Sequence, residues 1–236
     1  MKLVKKVLAG VAVAAAMASA QASPINVAGI LWDPTSGFDF TLGGVFNQAF
    51  NNPSAPLGSV LSGFGSVAAI NGVNNFCTLG PNCTLTFVFD NYSLATGAGS
   101  FFPKTFTGGT IKLYVDNDGV HNSMATSSNG VLWANLVANE AFGFSLSVSQ
   151  NFTNAQGTGF LDVIGGAAAG NLDTDVFGPT FGNADLSFGT TVSLLNNPGG
   201  NGTFTLNGNS IPEPASLALV GLGLLGLAAS RRRKSV

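Results

Sequence analysis

An all-β domain, an antiparallel β-sandwich or jelly-roll-like fold, is what this sequence predicts, and three observations predict it. Apolar and small polar residues alternate in several short runs, the period-two signature of strands with one buried face. Clusters of Gly, Asn and Pro separate these runs, as at Gly108-Gly109, Gly165-Gly166 and Asn196-Asn197-Pro198-Gly199-Gly200. Away from the two ends no helical period appears, apart from a short turn suggested over 131–139. Short strands with turn-rich spacing suit two packed antiparallel sheets. No strict internal repeat is present, which argues against a solenoid or propeller.

Taken in chain order, weaker strand patterns lie at Val27–Trp32 and Phe38–Leu42. Leu85, Phe87 and Phe89 then share one face, and Ile111, Leu113 and Val115 share another, with Lys112 and Tyr114 opposite. The clearest alternation is Phe142, Phe144, Leu146 and Val148 with Gly and Ser between. Further runs follow at Phe160–Ile164, Leu186–Leu194 and Thr203–Leu206, and 201–210 reads as a last strand running into a short polar stalk. The domain plan is therefore 1–22 as a signal helix, 23–205 as the β-domain, and 206–236 as a stalk with a terminal signal.

The amino terminus has the three zones of a secretory signal peptide. Lys2, Lys5 and Lys6 precede an uncharged Ala/Val-rich run, and small residues follow. Ala20 and Ala22 fit the small-x-small cleavage rule for signal peptidase, with Ser23 as the new amino terminus. At the other end, Pro212-Glu213-Pro214 precedes an uncharged stretch over 215–230, then Arg231, Arg232, Arg233 and Lys234. As a helix the stretch spans about 24 Å, short of a bilayer core of about 30 Å but close enough to cross with local thinning. The basic cluster stops transfer and predicts a cytoplasmic end. Pro212 and Pro214 keep their segment extended outside the membrane.

This tripartite end resembles the PEP-CTERM sorting signal of Gram-negative bacteria. The resemblance implies transient anchoring in the inner membrane and cutting near the triplet by an exosortase, a membrane-embedded cysteine transpeptidase-like enzyme. It further implies delivery to the cell surface or medium, in the company of exopolysaccharide and biofilm or floc matrix. Only the tail and the signal peptide carry the resemblance, so 23–210 receives an address and no activity.

Charge and cysteine content narrow the middle segment. Only 8% of the chain is charged, against about 25% in ordinary soluble proteins, and the 32 glycines are roughly twice the usual share. Between Ser23 and Ser210 ten acids face two lysines, Lys104 and Lys112, a net charge of −8. Such a surface repels nucleic acid. Its remaining polarity comes from Asn, Ser, Thr and Gly, which suits hydrogen bonding to sugars. Cys77 and Cys83, the only cysteines, flank a Gly80-Pro81-Asn82 turn, and an exported chain oxidises such a pair to a disulfide.

Catalytic constellations are hard to assemble. His121 is the single histidine, in a stretch that reads as an exposed loop, and neither a Gly-x-Ser-x-Gly elbow nor a phosphate loop occurs. Asp116-Asn117-Asp118-Gly119 opens like an oxygen-rich calcium loop but lacks its later ligands; Asp-Gly after a strand also reads as a tight turn. Asp116 and Asp118 are thus the calcium candidates, with Asp173 and Asp175 able to add oxygens if folded nearby. Trp32, Trp133, Tyr92 and Tyr114 could stack on sugars, and each also suits core or edge packing. The leading expectation is a non-enzymatic surface or matrix protein associated with polysaccharide. Its rivals are a glycan hydrolase using paired acids and a subunit that self-assembles through strand edges.

Overall fold

Alternation in the sequence becomes twelve strands in the computed structural model, which describes residues 24–34, 39–48, 55–98, 103–141, 144–148, 154–193 and 201–211. The signal-peptide segment with its cleavage residues and everything from Pro212 onward, including the apolar stretch and basic tail, lie outside the described residues. The strands are β1 (Ile25–Val27), β2 (Ile30–Trp32), β3 (Phe40–Gln48), β4 (Val60–Ile70), β5 (Thr84–Thr96) and β6 (Lys104–Thr107). They continue with β7 (Thr110–Asp116), β8 (Val131–Ala138), β9 (Phe144–Val148), β10 (Asn154–Gly165), β11 (Leu186–Ser193) and β12 (Asn201–Gly208). One α-turn, α1 (Ala169–Leu172), and 3-10 turns at Thr126–Ser128 and Pro179–Phe181 complete the described elements. None of these helices is long and apolar enough to cross a membrane.

Strands β6 and β7 lie end to end along β5, meeting it at Leu94↔Phe106 and Phe87↔Leu113. Likewise β8 and β9 lie end to end along β10, at Asp162↔Val137 and Gly157↔Leu146. The two interrupted strands pair with each other as well, β7 with β8 and β6 with β9. The result is eight antiparallel staves in sequence order, and β12 pairs back with β3 from Asn201↔Asn47 to Gly208↔Phe40. The predicted all-β antiparallel class is present, as a closed up-and-down barrel in place of two facing sheets. Both arrangements use the same period-two strands, and the β12–β3 pairing that separates them joins segments over 150 residues apart, which no local pattern encodes.

Inside, the barrel is filled. Phe46, Phe87, Phe89, Phe106, Phe204, Leu85, Leu113 and Leu136 are buried. The Phe87 and Phe204 ring centroids stand 4.3 Å apart, and Phe46 meets Phe89 edge-on at 5.7 Å. The space left beside these rings is about 30 Å³, room for roughly one water. Two inward positions on β4, Gly63 and Gly65, have no side chain because a Cβ there would strike the Phe89 and Phe87 rings and the carbonyls of Asn47 and Val45. This explains why β4, 11 residues long, escapes a reading based on apolar alternation.

The helical turn suggested over 131–139 is instead strand β8. A bulge opposite Leu113 and Tyr114 places Trp133 and Ala134, neighbours in sequence, both at 0% exposure. That breaks the alternation by which a strand is recognised. Another irregularity sits in β5, where Asn91 has φ +63° and Tyr92 is buried.

One end of the barrel, called the base here, is closed by the β1–β2 hairpin. Leu31 N–H donates to the Phe76 carbonyl at 2.7 Å and Thr78 N–H to the Gly29 carbonyl at 2.8 Å, tying the hairpin to the β4–β5 loop. That loop contains the Cys77–Cys83 disulfide, whose Cα atoms are 5.8 Å apart. Asn71 stitches the same region: its Nδ2 donates to the Asp33 and Asp39 carbonyls at 2.7 and 3.1 Å, and its Oδ1 accepts from Thr41 N–H at 2.7 Å. Trp133 Nε1 donates to the Val27 carbonyl at 3.1 Å.

Candidate functional site

At the base the chain leaves its last strand, and the exit is held. After β12, Ser210 is buried at 6% exposure. Its N–H donates to Asp39 Oδ1, and its Oγ accepts from Trp32 Nε1 at 3.1 Å. Ile211 N–H donates to the Asn171 carbonyl at 2.7 Å, and Asn171 Nδ2 donates to the Ile211 carbonyl at 3.1 Å. Four hydrogen bonds therefore grip two residues from three separate segments: β2, the approach to β3, and α1. The Trp32 indole is itself fixed edge-on against Phe40 at 5.7 Å and Trp133 at 5.8 Å. Burial raises the pKa of Asp39, and the Ser210 N–H opposes that by favouring the carboxylate.

Immediately beyond Ile211 come Pro212-Glu213-Pro214, the apolar stretch and the basic tail. Residues 210–234 match the family model described as the PEP-CTERM protein-sorting motif. This chain carries a PEP-CTERM sorting signal. It accordingly has the signal of an exported, exosortase-processed protein that transits the membrane and is then sorted to the surface. The match begins at Ser210, so the PEP-CTERM motif and the folded barrel overlap at the gripped pair. No curated protein and no solved structure matches the chain.

Outside the PEP-CTERM segment, the outer barrel wall carries no charged residue over β3, β11, β12 and residues 154–161 of β10, with Asp162 lying further along β10. Gln156, Thr191, Thr203 and Val45 form one outward row across paired strands, and Thr158, Gly189, Thr205 and Gly43 form the next. Two depressions lie in this wall, the first of them beside Gly189. One of about 240 Å³ is lined by Gln156, Thr158, Thr191, Thr203 and Thr205. A second of about 500 Å³ lies beside it, between Val45, Asn47, Asn201 and Thr203. Sequence reasoning noticed the Thr/Asn content but not this row, because the row exists only once the strands are in register.

The acids gather elsewhere. Asp173, Asp175 and Asp185 bring carboxylate oxygens within 4.8 Å of one another in the β10–β11 connection. Asp185 is buried and its oxygens accept from Val163, Thr174 and Asp175 N–H groups at 2.6–2.7 Å. Its carboxylate is thus a structural anchor for the loop. Asp173 is exposed, and the like charge of Asp185 raises its pKa, followed by burial and by Asp175 and Asp162.

Asp116 and Asp118, the calcium candidates, build consecutive turns. Asp116 Oδ1 accepts from Asp118 N–H at 2.9 Å and Asp118 Oδ1 from Val120 N–H at 2.7 Å, while Asp118 Oδ2 accepts from Asn129 Nδ2 at 2.8 Å. These contacts, led by the Val120 N–H, lower the Asp118 pKa. Asp173 and Asp175 do not join them; their cluster is completed by Asp185. His121 is exposed in the same turn-rich loop. Of the aromatic candidates, Trp32, Trp133 and Tyr92 are buried in the core, and only Tyr114 is partly open.

Proposed function

We propose that the mature barrel is a non-enzymatic matrix protein that associates with extracellular polysaccharide through its outer wall. The observation that carries this reading is the uncharged row of Gln156, Thr191 and Thr203 above Thr158 and Thr205, with a depression beside Gly189 between them. Hydroxyl and amide groups there can donate to and accept from sugar hydroxyls, and no charge has to be stripped of water for contact. Charge supports it too, since the acidic remainder of the surface favours a neutral polymer over an anionic one.

Assembly through open strand edges is less well supported, because every barrel strand pairs on both sides. A hydrolase reading draws on the Asp173–Asp175–Asp185 cluster and the raised Asp173 pKa. Against it stands the use of Asp185 as a backbone anchor.

The test is retention of the processed protein on the producer's own polysaccharide, with and without calcium. Wild type should be retained, and replacing Thr191, Thr203 and Thr205 together by Val should weaken retention roughly tenfold or more. Absence of retention under both conditions contradicts the reading. Sugar release that disappears in D173N would replace it with the hydrolase.

A further inference from the structure

We propose that the base of the folded barrel holds Ser210 and Ile211, the upstream flank of the sorting motif, and thereby bars the sorting enzyme from cutting at or before the Ser210–Ile211 bond. The argument begins with the grip on Ser210 and Ile211, which the matched motif includes as its first two residues. Proteolytic enzymes take substrate as extended chain, and a bond within a folded, hydrogen-bonded segment is reached only after local opening. Cutting at Asn209, Ser210 or the Ser210–Ile211 bond would require release of the Trp32, Asp39 and Asn171 contacts.

The connection is also short. Only Pro212, Glu213 and Pro214 separate Ile211 from the apolar stretch, a reach of at most about 14 Å between the flanking Cα atoms. In the cut, the C–N bond breaks, the acyl carbon passes to water or an acceptor amine, and the proton lost by that nucleophile goes to the new amino group of the departing tail.

Folding is thereby coupled to sorting. The three segments that make the grip lie 178, 171 and 40 residues from the positions they hold. A barrel that has not closed cannot assemble it, so the flank is positioned only in a chain whose hairpin, first stave and β10–β11 connection have all docked. This inference uses the sorting signal alone and stands or falls separately from polysaccharide binding.

The experiment expresses the full chain in the producing organism and measures the carboxyl terminus by peptide mass, together with the fraction left uncut. Two variants loosen the grip, S210A and N171A, and a third inserts Gly-Ser-Gly-Ser between Ile211 and Pro212 with the grip intact. Thermal unfolding of each recovered barrel reports whether it still folds. The wild-type protein should end at Ile211 or beyond. The grip variants should show new ends upstream of Ile211 or a several-fold larger uncut fraction, while the insertion should keep Ile211 in the product. A wild-type terminus at or before Ser210 overturns the proposal. So do folded grip variants that are both cut at the wild-type place and rate, or an insertion variant cut upstream of Ile211.

Discussion

Asp185 and Asp173 lie in one cluster and should respond to substitution in opposite directions. Asp185 accepts three backbone N–H groups while buried, so D185A leaves those donors without their charged acceptor and should cost about 3 kcal/mol or more. Asp173 is exposed and carries a pKa raised chiefly by Asp185. D173N should therefore raise the melting temperature slightly at neutral pH, by an amount that shrinks as salt screens the repulsion. The pH dependence has a definite sign. A carboxyl whose folded pKa is raised contributes most stability below its unfolded pKa and loses it as pH rises through the folded value. Asp39 and Asp173 are both of this kind, so their contribution should grow as pH falls from neutrality toward the ordinary carboxylate range. Melting curves of wild type and D173N across that window check it: the difference between them should be largest at neutral pH and close on acidification.

At the scale of elements, the disulfide loop and the hairpin over the base form one unit, since Leu31 and Gly29 bond to Phe76 and Thr78 on either side of Cys77. Removing the link by replacing both cysteines with serine restores the freedom of a loop of about seven residues to the unfolded chain, a loss of about 2 kcal/mol. Chemical unfolding of the double variant measures it, and an unchanged midpoint would show that the bond contributes nothing. The cysteine pair was legible in the sequence because six residues and a Gly-Pro-Asn turn determine it locally. Strands β5, β7 and β11 and the last part of β10 were legible for a similar reason, each showing its buried face through alternate apolar residues, whereas the first half of β10 turns Ala155, Gly157 and Gly159 inward. Strand β4 was not, because Gly63 and Gly65 stand where large apolar residues would otherwise mark the inside. Strand β8 was obscured by the bulge that buries Trp133 and Ala134 together.

The molecule as a whole combines a linear address with a three-dimensional root. The sorting signal is readable as a string, since its triplet, apolar stretch and basic tail are contiguous. Barrel closure and the grip on Ser210 were not readable, because β3, Trp32, Asp39 and Asn171 come to the chain's exit only through the fold. Charge is distributed to match this division. Asp33, Asp39, Asp116, Asp118, Asp173, Asp175 and Asp185 lie in the segments around the base, whereas the wall of β11 and β12 has no charged residue. The most direct measurement is the intact and terminal-peptide mass of the protein recovered from the native cell surface and medium. An amino terminus near Ser23 with a carboxyl terminus between Ile211 and the apolar stretch is the predicted result. A recovered chain that retains Arg231–Val236 would contradict it and leave a barrel anchored permanently in the membrane.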